Sequence, residues 1–335
     1  MNTIRFAVVG LGHIGKRHAA IIQQMEQAEL VAVCDVREEL SGEYPDLPFF
    51  GQLAELLEKS PDVDVLSIAT PNGLHASQAI QGLKAGKHVI IEKPMALSKK
   101  DCEEVIHTAL DASKKVFCVM QNRYSPPAVW MKSVIEEGHL GKIHLVQINC
   151  YWNRDERYYR KRDWHGTADL DGGTLFTQFS HFIDMMNWLF GDITNIQAQF
   201  YDMNHQELTD FEDTGLIQFE FVQGGAGSIQ YSTATWDKNF ESSMTILGEK
   251  GTIKLGGQYM EKVVYCHVDG LAFPELPPAS PAYDYGPYKG SAANHHYVFD
   301  NVIKTLNGEG TIATNAMEGM KVVDIIERIY GLKKK

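Results

Sequence analysis

The sequence predicts an α/β protein in two domains: a parallel sheet covered by helices over residues 1–121, and over 122–335 an α/β domain with a large, open, mostly antiparallel sheet. Two observations carry this. Up to residue 120, short β-branched runs alternate with amphipathic stretches, the pattern of strands buried on both faces. Beyond it the strands lengthen and alternate apolar with polar residues, the pattern of strands with one solvated face. A chain of 335 residues is also long for one core and comfortable for two.

In order, the first domain is expected to hold strands at 4–9, 30–34, 49–50, 65–68, 88–91 and 116–119, with helices at 16–25, 53–59, 75–85 and 99–112 between them. The second holds strands at 143–151, 193–201, 214–221, 227–235, 242–247 and 251–255. Gly224-Gly225 and Gly248-Glu249-Lys250-Gly251 mark turns between the later ones. A Pro- and Tyr-containing stretch, 274–287, reads as a surface loop, and 294–306 and 316–330 as closing helices.

Bulk composition narrows the function classes. Apolar residues at 44% and charged residues at 22% describe a folded globular chain. A net charge of −12, with no basic stripe apart from the terminal Lys333-Lys334-Lys335, argues against nucleic acid or an anionic membrane as partner. The five cysteines are dispersed with no Cys-x-x-Cys pair, so neither a disulfide framework nor a metal site is expected. No signal-peptide order and no apolar run of ~18–20 residues is present, so the expected compartment is the cytoplasm.

The first strand ends in Gly10-Leu11-Gly12-His13-Ile14-Gly15, and a helix follows at once. Gly10 allows the tight turn, Gly12 lets backbone approach a pyrophosphate, and Gly15 lets helix and strand pack closely. Asp35, 20 residues after Gly15 at the end of the second strand, is placed to accept both hydroxyls of an adenosine ribose. Together these describe a Rossmann dinucleotide site for NAD. The Asp35 carboxylate disfavours a 2′-phosphate, while Arg37 keeps NADP from being excluded. Thr70 and Asn72, ending the fourth strand just before His75, share the same sheet edge; Asn72 fits a cofactor contact or a turn and helix cap equally. The fifth strand delivers Glu92-Lys93-Pro94 there, and Lys93 reads either as a solvated charge or as the group that orients a substrate hydroxyl and stabilises the developing alkoxide.

In the second domain a helix is expected from about Gly172. Thr177, Gln178, His181 and Asp184 would share one polar stripe at spacings of three and four, with Phe176, Phe179, Ile183, Met186 and Leu189 facing the core. His181 is the natural general base, because imidazole titrates near neutrality. The competing reading is a half-buried histidine bonded to Asp184.

These motifs resemble the glucose-fructose oxidoreductase/inositol dehydrogenase/rhizopine catabolism family over essentially the whole chain. The resemblance implies that Lys93 and His181 are the catalytic pair. An Asp is common four residues before that histidine, where this chain has Thr177. The segment Thr177-Gln178-Phe179-Ser180-His181 is instead similar to the Asn-Gln-x-x-His of bacterial UDP-N-acetylglucosaminuronate 3-dehydrogenases. Gln121-Asn122-Arg123, the run from Tyr151 through Arg154 and Arg157 to Tyr159, and Trp164-His165-Gly166-Thr167 with Asp171-Gly172-Gly173 point the same way; His165 stands where that group usually has Arg.

The expected cofactor contacts are then Gly10, Gly12, His13, Ile14, Gly15, Asp35 and Arg37 from the glycine and ribose motifs. Thr70, Asn72, His75, Glu92, Lys93, Gln121 and Trp164 complete them. Substrate contacts are expected from Arg123, Arg154, Arg157, Tyr159, His165, Thr177 and Gln178, with Arg160 as a further candidate for a diphosphate or uronate. The implied activity is oxidation of a sugar-ring hydroxyl, the 3-hydroxyl of a UDP-N-acetylhexosamine or its uronate. A free sugar or polyol dehydrogenase and a non-catalytic NAD-dependent sensor are the alternatives. A homo-oligomer, dimer or tetramer, through the second sheet is expected.

Overall fold

Ile-Arg-Phe-Ala-Val-Val, residues Ile4–Val9, forms strand β1, and all of it except Arg5 is buried. Such a run belongs at the centre of a sheet covered on both faces. In the computed structural model, which describes residues 2–60, 62–159, 164–286 and 288–333, that is where it lies. The parallel sheet also contains β2 (Ala28–Cys34), β3 (Phe49–Phe50), β4 (Val65–Ile68), β5 (His88–Ile91) and β6 (Val116–Cys118). Their order is β3-β2-β1-β4-β5-β6. The chain therefore reverses direction across the sheet between β1 and β4, and a crevice opens at the carboxyl ends of these strands. Helices α1 (His13–Gln24), α2 (Leu53–Lys59), α3 (His75–Lys84) and α4 (Lys99–Asp111) alternate with the strands.

The second sheet has seven strands among the described residues. They are β7 (Ile143–Tyr151), β8 (Ile193–Tyr201), β9 (Thr214–Phe221), β10 (Ala226–Ser232), β11 (Glu241–Gly248), β12 (Gly251–Gly256) and β13 (Lys262–Val268), in the order β13-β12-β11-β7-β10-β9-β8. All neighbours are antiparallel except β7 and β10. Along β9 every second residue is buried, which gives the sheet one core face and one open face. Helix α5 (Pro126–Glu136), with proline in its first turn, and strand β13 are additions to the expected elements. Inside the expected 274–287 loop, Ala282–Asp284 pairs with Lys289–Ala292 as a short hairpin.

The chain divides into two compact units, 1–120 with 295–323, and 121–294 with 324–335. The sequence reading gave everything after 122 to the second domain. The difference comes from α8 (His295–Leu306): its Phe299 packs edge-on against Phe6 at 5.9 Å and against His18 at 5.0 Å. The long closing helix α9 (Ala316–Tyr330) starts in the first unit and ends in the second.

Candidate active site

In the first unit the glycine loop is set by close backbone contacts. Gly10 has φ of +90°, and a Cβ there would sit 2.7 Å from the Ala69 carbonyl oxygen; a Cβ on Gly15 would sit 1.7 Å from that of Gly10. Neither position admits a side chain. Gly12 precedes α1, whose N-terminus has no side-chain cap and no acidic residue in its first turn. Its leading N–H groups, including those of His13 and Ile14, are the donors a pyrophosphate requires.

Asp35 is 7% exposed and accepts Leu11 N–H at 2.6 Å and Arg37 N–H at 2.9 Å. Arg37 also forks onto it through Nε and Nη2, each at 2.8 Å. Burial pushes the Asp35 carboxyl up, but the Arg37 side chain and the two backbone donors outweigh it and hold the pKa below the usual value. The carboxylate that should receive ribose hydroxyls is therefore ionised. These features fit NAD.

Further along the same edge, Thr70 donates to Gln78 Oε1 at 2.6 Å. Asn72 opens a short 3-10 turn leading into α3. His75 lies 2.7 Å from the Pro94 carbonyl and 2.8 Å from that of Thr70, which ties the Lys93-Pro94 segment to the end of β4. Burial nevertheless lowers the His75 pKa. Glu92, 5% exposed, accepts the Lys93 N–H at 3.1 Å.

The second unit gathers its residues differently. The segment expected to begin as an ordinary helix near Gly172 begins as a π turn, Leu175–Phe179, which passes into α7 (Ser180–Phe190) at Ser180. The wider turn breaks the single polar stripe, and each polar side chain finds a separate partner. Thr177 donates to the Asp171 carboxylate and to its carbonyl. Gln178 accepts Arg154 Nε–H at 2.8 Å and donates to the Tyr158 hydroxyl at 2.9 Å. His181, 1% exposed, has Nε2 at 3.1 Å from Gln121 Nε2. Asp184 receives Arg123 through Nε at 2.9 Å and Nη2 at 2.6 Å, a buried fork. Phe176, Phe179, Ile183, Met186 and Leu189 are all buried as expected.

The arginines are thus internally engaged. Arg154 is 2% exposed, stacks over Trp152, Tyr158 and Tyr288 at about 5 Å, and also donates to the Asn153 and Lys289 carbonyls. Arg157 pairs with Asp155 at 2.7 Å and Asp237 at 3.2 Å, with 39% of its side chain exposed. Arg160 lies outside the described residues. His165 is buried between Trp164, stacked at 3.9 Å, and Tyr158 at 4.4 Å. Tyr159 is buried edge-on to Tyr158, and burial pushes its hydroxyl far up.

Sequence reasoning missed His18, Ser67 and His295 around Glu92 and Tyr330 at the π turn, and named Asp171 and Tyr158 only as parts of motifs. Tyr330 accepts the Leu175 N–H at 2.9 Å, and its hydroxyl would lie 2.6 Å from a Cβ on Gly173. The positive φ of Gly172 and Gly173, both glycines, was the one local signal of an irregular start.

Comparison with known proteins agrees with the two-part fold. Residues 4–120 match the oxidoreductase family with an NAD-binding Rossmann fold, and 129–254 match the GFO/IDH/MocA C-terminal domain. The WlbA dehydrogenase from Bordetella pertussis, solved with NADH and UDP-GlcNAcA, is 33% identical with a TM-score of 0.87 over 99% of this chain and 96% of that one. Its Chromobacterium violaceum counterpart, solved with the same ligands, is 31% identical with a TM-score of 0.88 over 99% and 94%. Myo-inositol 2-dehydrogenase of Thermotoga maritima is 27% identical over 75% of this chain and 74% of its own length.

Proposed function

This chain belongs to the glucose-fructose oxidoreductase/inositol dehydrogenase/rhizopine catabolism family and is an NAD-dependent sugar oxidoreductase, and from that premise we propose that it oxidises the 3-hydroxyl of a UDP-linked N-acetylhexosamine or its uronate. The observation that carries this reading is the near full-length likeness, at 33% identity, to a dehydrogenase solved with UDP-GlcNAcA. The polyol dehydrogenase above is more distant.

NAD, held by the glycine loop at Gly10–Gly15 and by Asp35, would supply the hydride acceptor. His181 takes the hydroxyl proton on Nε2, where the substrate hydroxyl replaces the Gln121 amide that lies 3.1 Å from that atom. Lys93 orients the hydroxyl and offsets the charge that builds on oxygen. Gln178 and Thr177 line the sugar's approach, held by Arg154 and Asp171, and His165 and Tyr159 stiffen that wall. Arg123 pairs with Asp184, and Arg157, the most exposed of the three, is the candidate contact for the diphosphate. The remote diphosphate holds the sugar in reacting geometry, so its removal lowers rate as well as affinity. Trp164 and Gln121 are the second unit's candidates for contact with the cofactor.

One face of the second sheet carries Leu145, Leu216, Leu247 and Tyr265, each more than a third exposed. It is the face for a dimer or tetramer, which light scattering tests. For substrate, the test is initial rate of NADH formation with UDP-GlcNAc, UDP-GlcNAcA and the same sugars without UDP. The UDP forms should be turned over at least about tenfold more efficiently, the return from one charge-assisted contact. Equal efficiency with free inositol or glucose would return the reading to a free-sugar or polyol dehydrogenase, and absence of any turnover to a sensor.

A further inference from the structure

Glu92 is a buried carboxyl, 5% exposed, at the end of the fifth strand. Its Oε1 lies 3.1 Å from His18 Nε2 and 3.4 Å from His295 Nε2, its Oε2 accepts the Lys93 N–H at 3.1 Å, and its own N–H is held by the Ile68 carbonyl at 3.0 Å. His18 Nδ1 sits 2.9 Å from Ser67 Oγ. Serine can donate to Nδ1 while Nε2–H points at Glu92, which satisfies both neighbours. Helix α1 from the glycine loop, strand β4 and the start of α8 thus converge on the residue before Lys93.

Burial pushes a carboxyl up, yet His18 and His295 hold Glu92 well below the usual range. The same burial lowers His295, which Glu92 raises in turn. The other charged or titratable groups acting here are Arg17 on α1, whose charge lowers His295, and His75 on α3, itself lowered by burial. Lys93, the next residue along the chain, is the amine whose charged form a buried anion would favour.

We propose that Glu92, clamped by His18 and His295, is a positioning residue for Lys93: it fixes the strand end from which the lysine leaves and supplies the negative charge that keeps the amine an ammonium. An ammonium can steady a developing alkoxide; a neutral amine cannot. The inference rests on the reading of Lys93 given under the proposed function.

The test is competitive reductive methylation of the full-length protein across the alkaline range, with and without NAD, reading the Lys93 peptide by mass spectrometry. In Glu92→Gln the apparent pKa of Lys93 should fall by about one unit, the usual scale for losing a nearby opposite charge. In Glu92→Asp, which keeps the charge and shortens the reach, it should stay, while kcat falls about tenfold or more in both variants with KM within about twofold. His295→Gln should lower kcat without moving the titration. An unchanged Lys93 titration in folded Glu92→Gln overturns the charge role, and wild-type kcat in Glu92→Asp overturns the positioning role. Stoichiometric zinc in the purified protein would make the three side chains metal ligands instead. Lys93→Met is assayed in parallel: full turnover there would sink the catalytic reading of Lys93, whereas the titration comparison still judges this one.

Discussion

The two units build their candidate sites by opposite means. In the first unit the ligand edge is mostly backbone: glycines at 10 and 15 that tolerate no Cβ, a bare helix N-terminus, and Asp35 bonded to N–H groups only a few residues or one strand away. In the second unit it is side chain on side chain, with Gln121 meeting His181, Arg123 meeting Asp184 and Arg154 meeting Gln178, across 60, 61 and 24 residues. Backbone geometry fixes where a cofactor common to many reactions can lie, whereas long-range side-chain pairs can be exchanged to suit one substrate.

If the second unit carries the proton chemistry, His181→Asn should produce the largest effect. Turnover should fall about 10²–10⁴-fold with NAD affinity, followed by fluorescence, almost unchanged. Near-normal turnover would move the base to Lys93 and make the second unit a binding wall only.

The arginines sharpen the contrast inside the second unit. Arg123→Met leaves Asp184 buried without its forked partner and should cost about 3–5 kcal/mol, read as a lower denaturant midpoint at constant m-value. Arg157→Met breaks half-exposed pairs and should cost at most about 1 kcal/mol while weakening UDP-sugar binding more than it changes stability. Equal stability losses would mean that Arg157 is as structural as Arg123.

The smallest effects belong to Asp35. Its pKa is lowered in the folded chain, so its contribution to stability is fully present above the unfolded value, near 3.9, and is lost as pH falls through the folded one. Asp35→Ser should therefore flatten the acid limb of the stability curve below about pH 4 and narrow the preference for NAD over NADP. Equal efficiency of the unaltered enzyme with both cofactors would show that Arg37, already forked onto Asp35, dominates the ribose site.

What the sequence determined by itself was everything that depends on neighbours in the chain. The parallel sheet, the glycine loop, Asp35 at a strand end, the core-facing stripe of Phe176 to Leu189 and the open second sheet all follow from periods of two and 3.6 and from the conformational freedom of glycine. Tertiary structure decided what each polar side chain does. No local pattern could tell that Arg123 and Arg154 face inward, that Tyr330 would interrupt an expected helix as a π turn, or that α8 would return to the first unit and bring His295 to Glu92. A buried polar group must find a partner wherever the folded chain supplies one, and that partner's distance along the sequence is not constrained by any repeat.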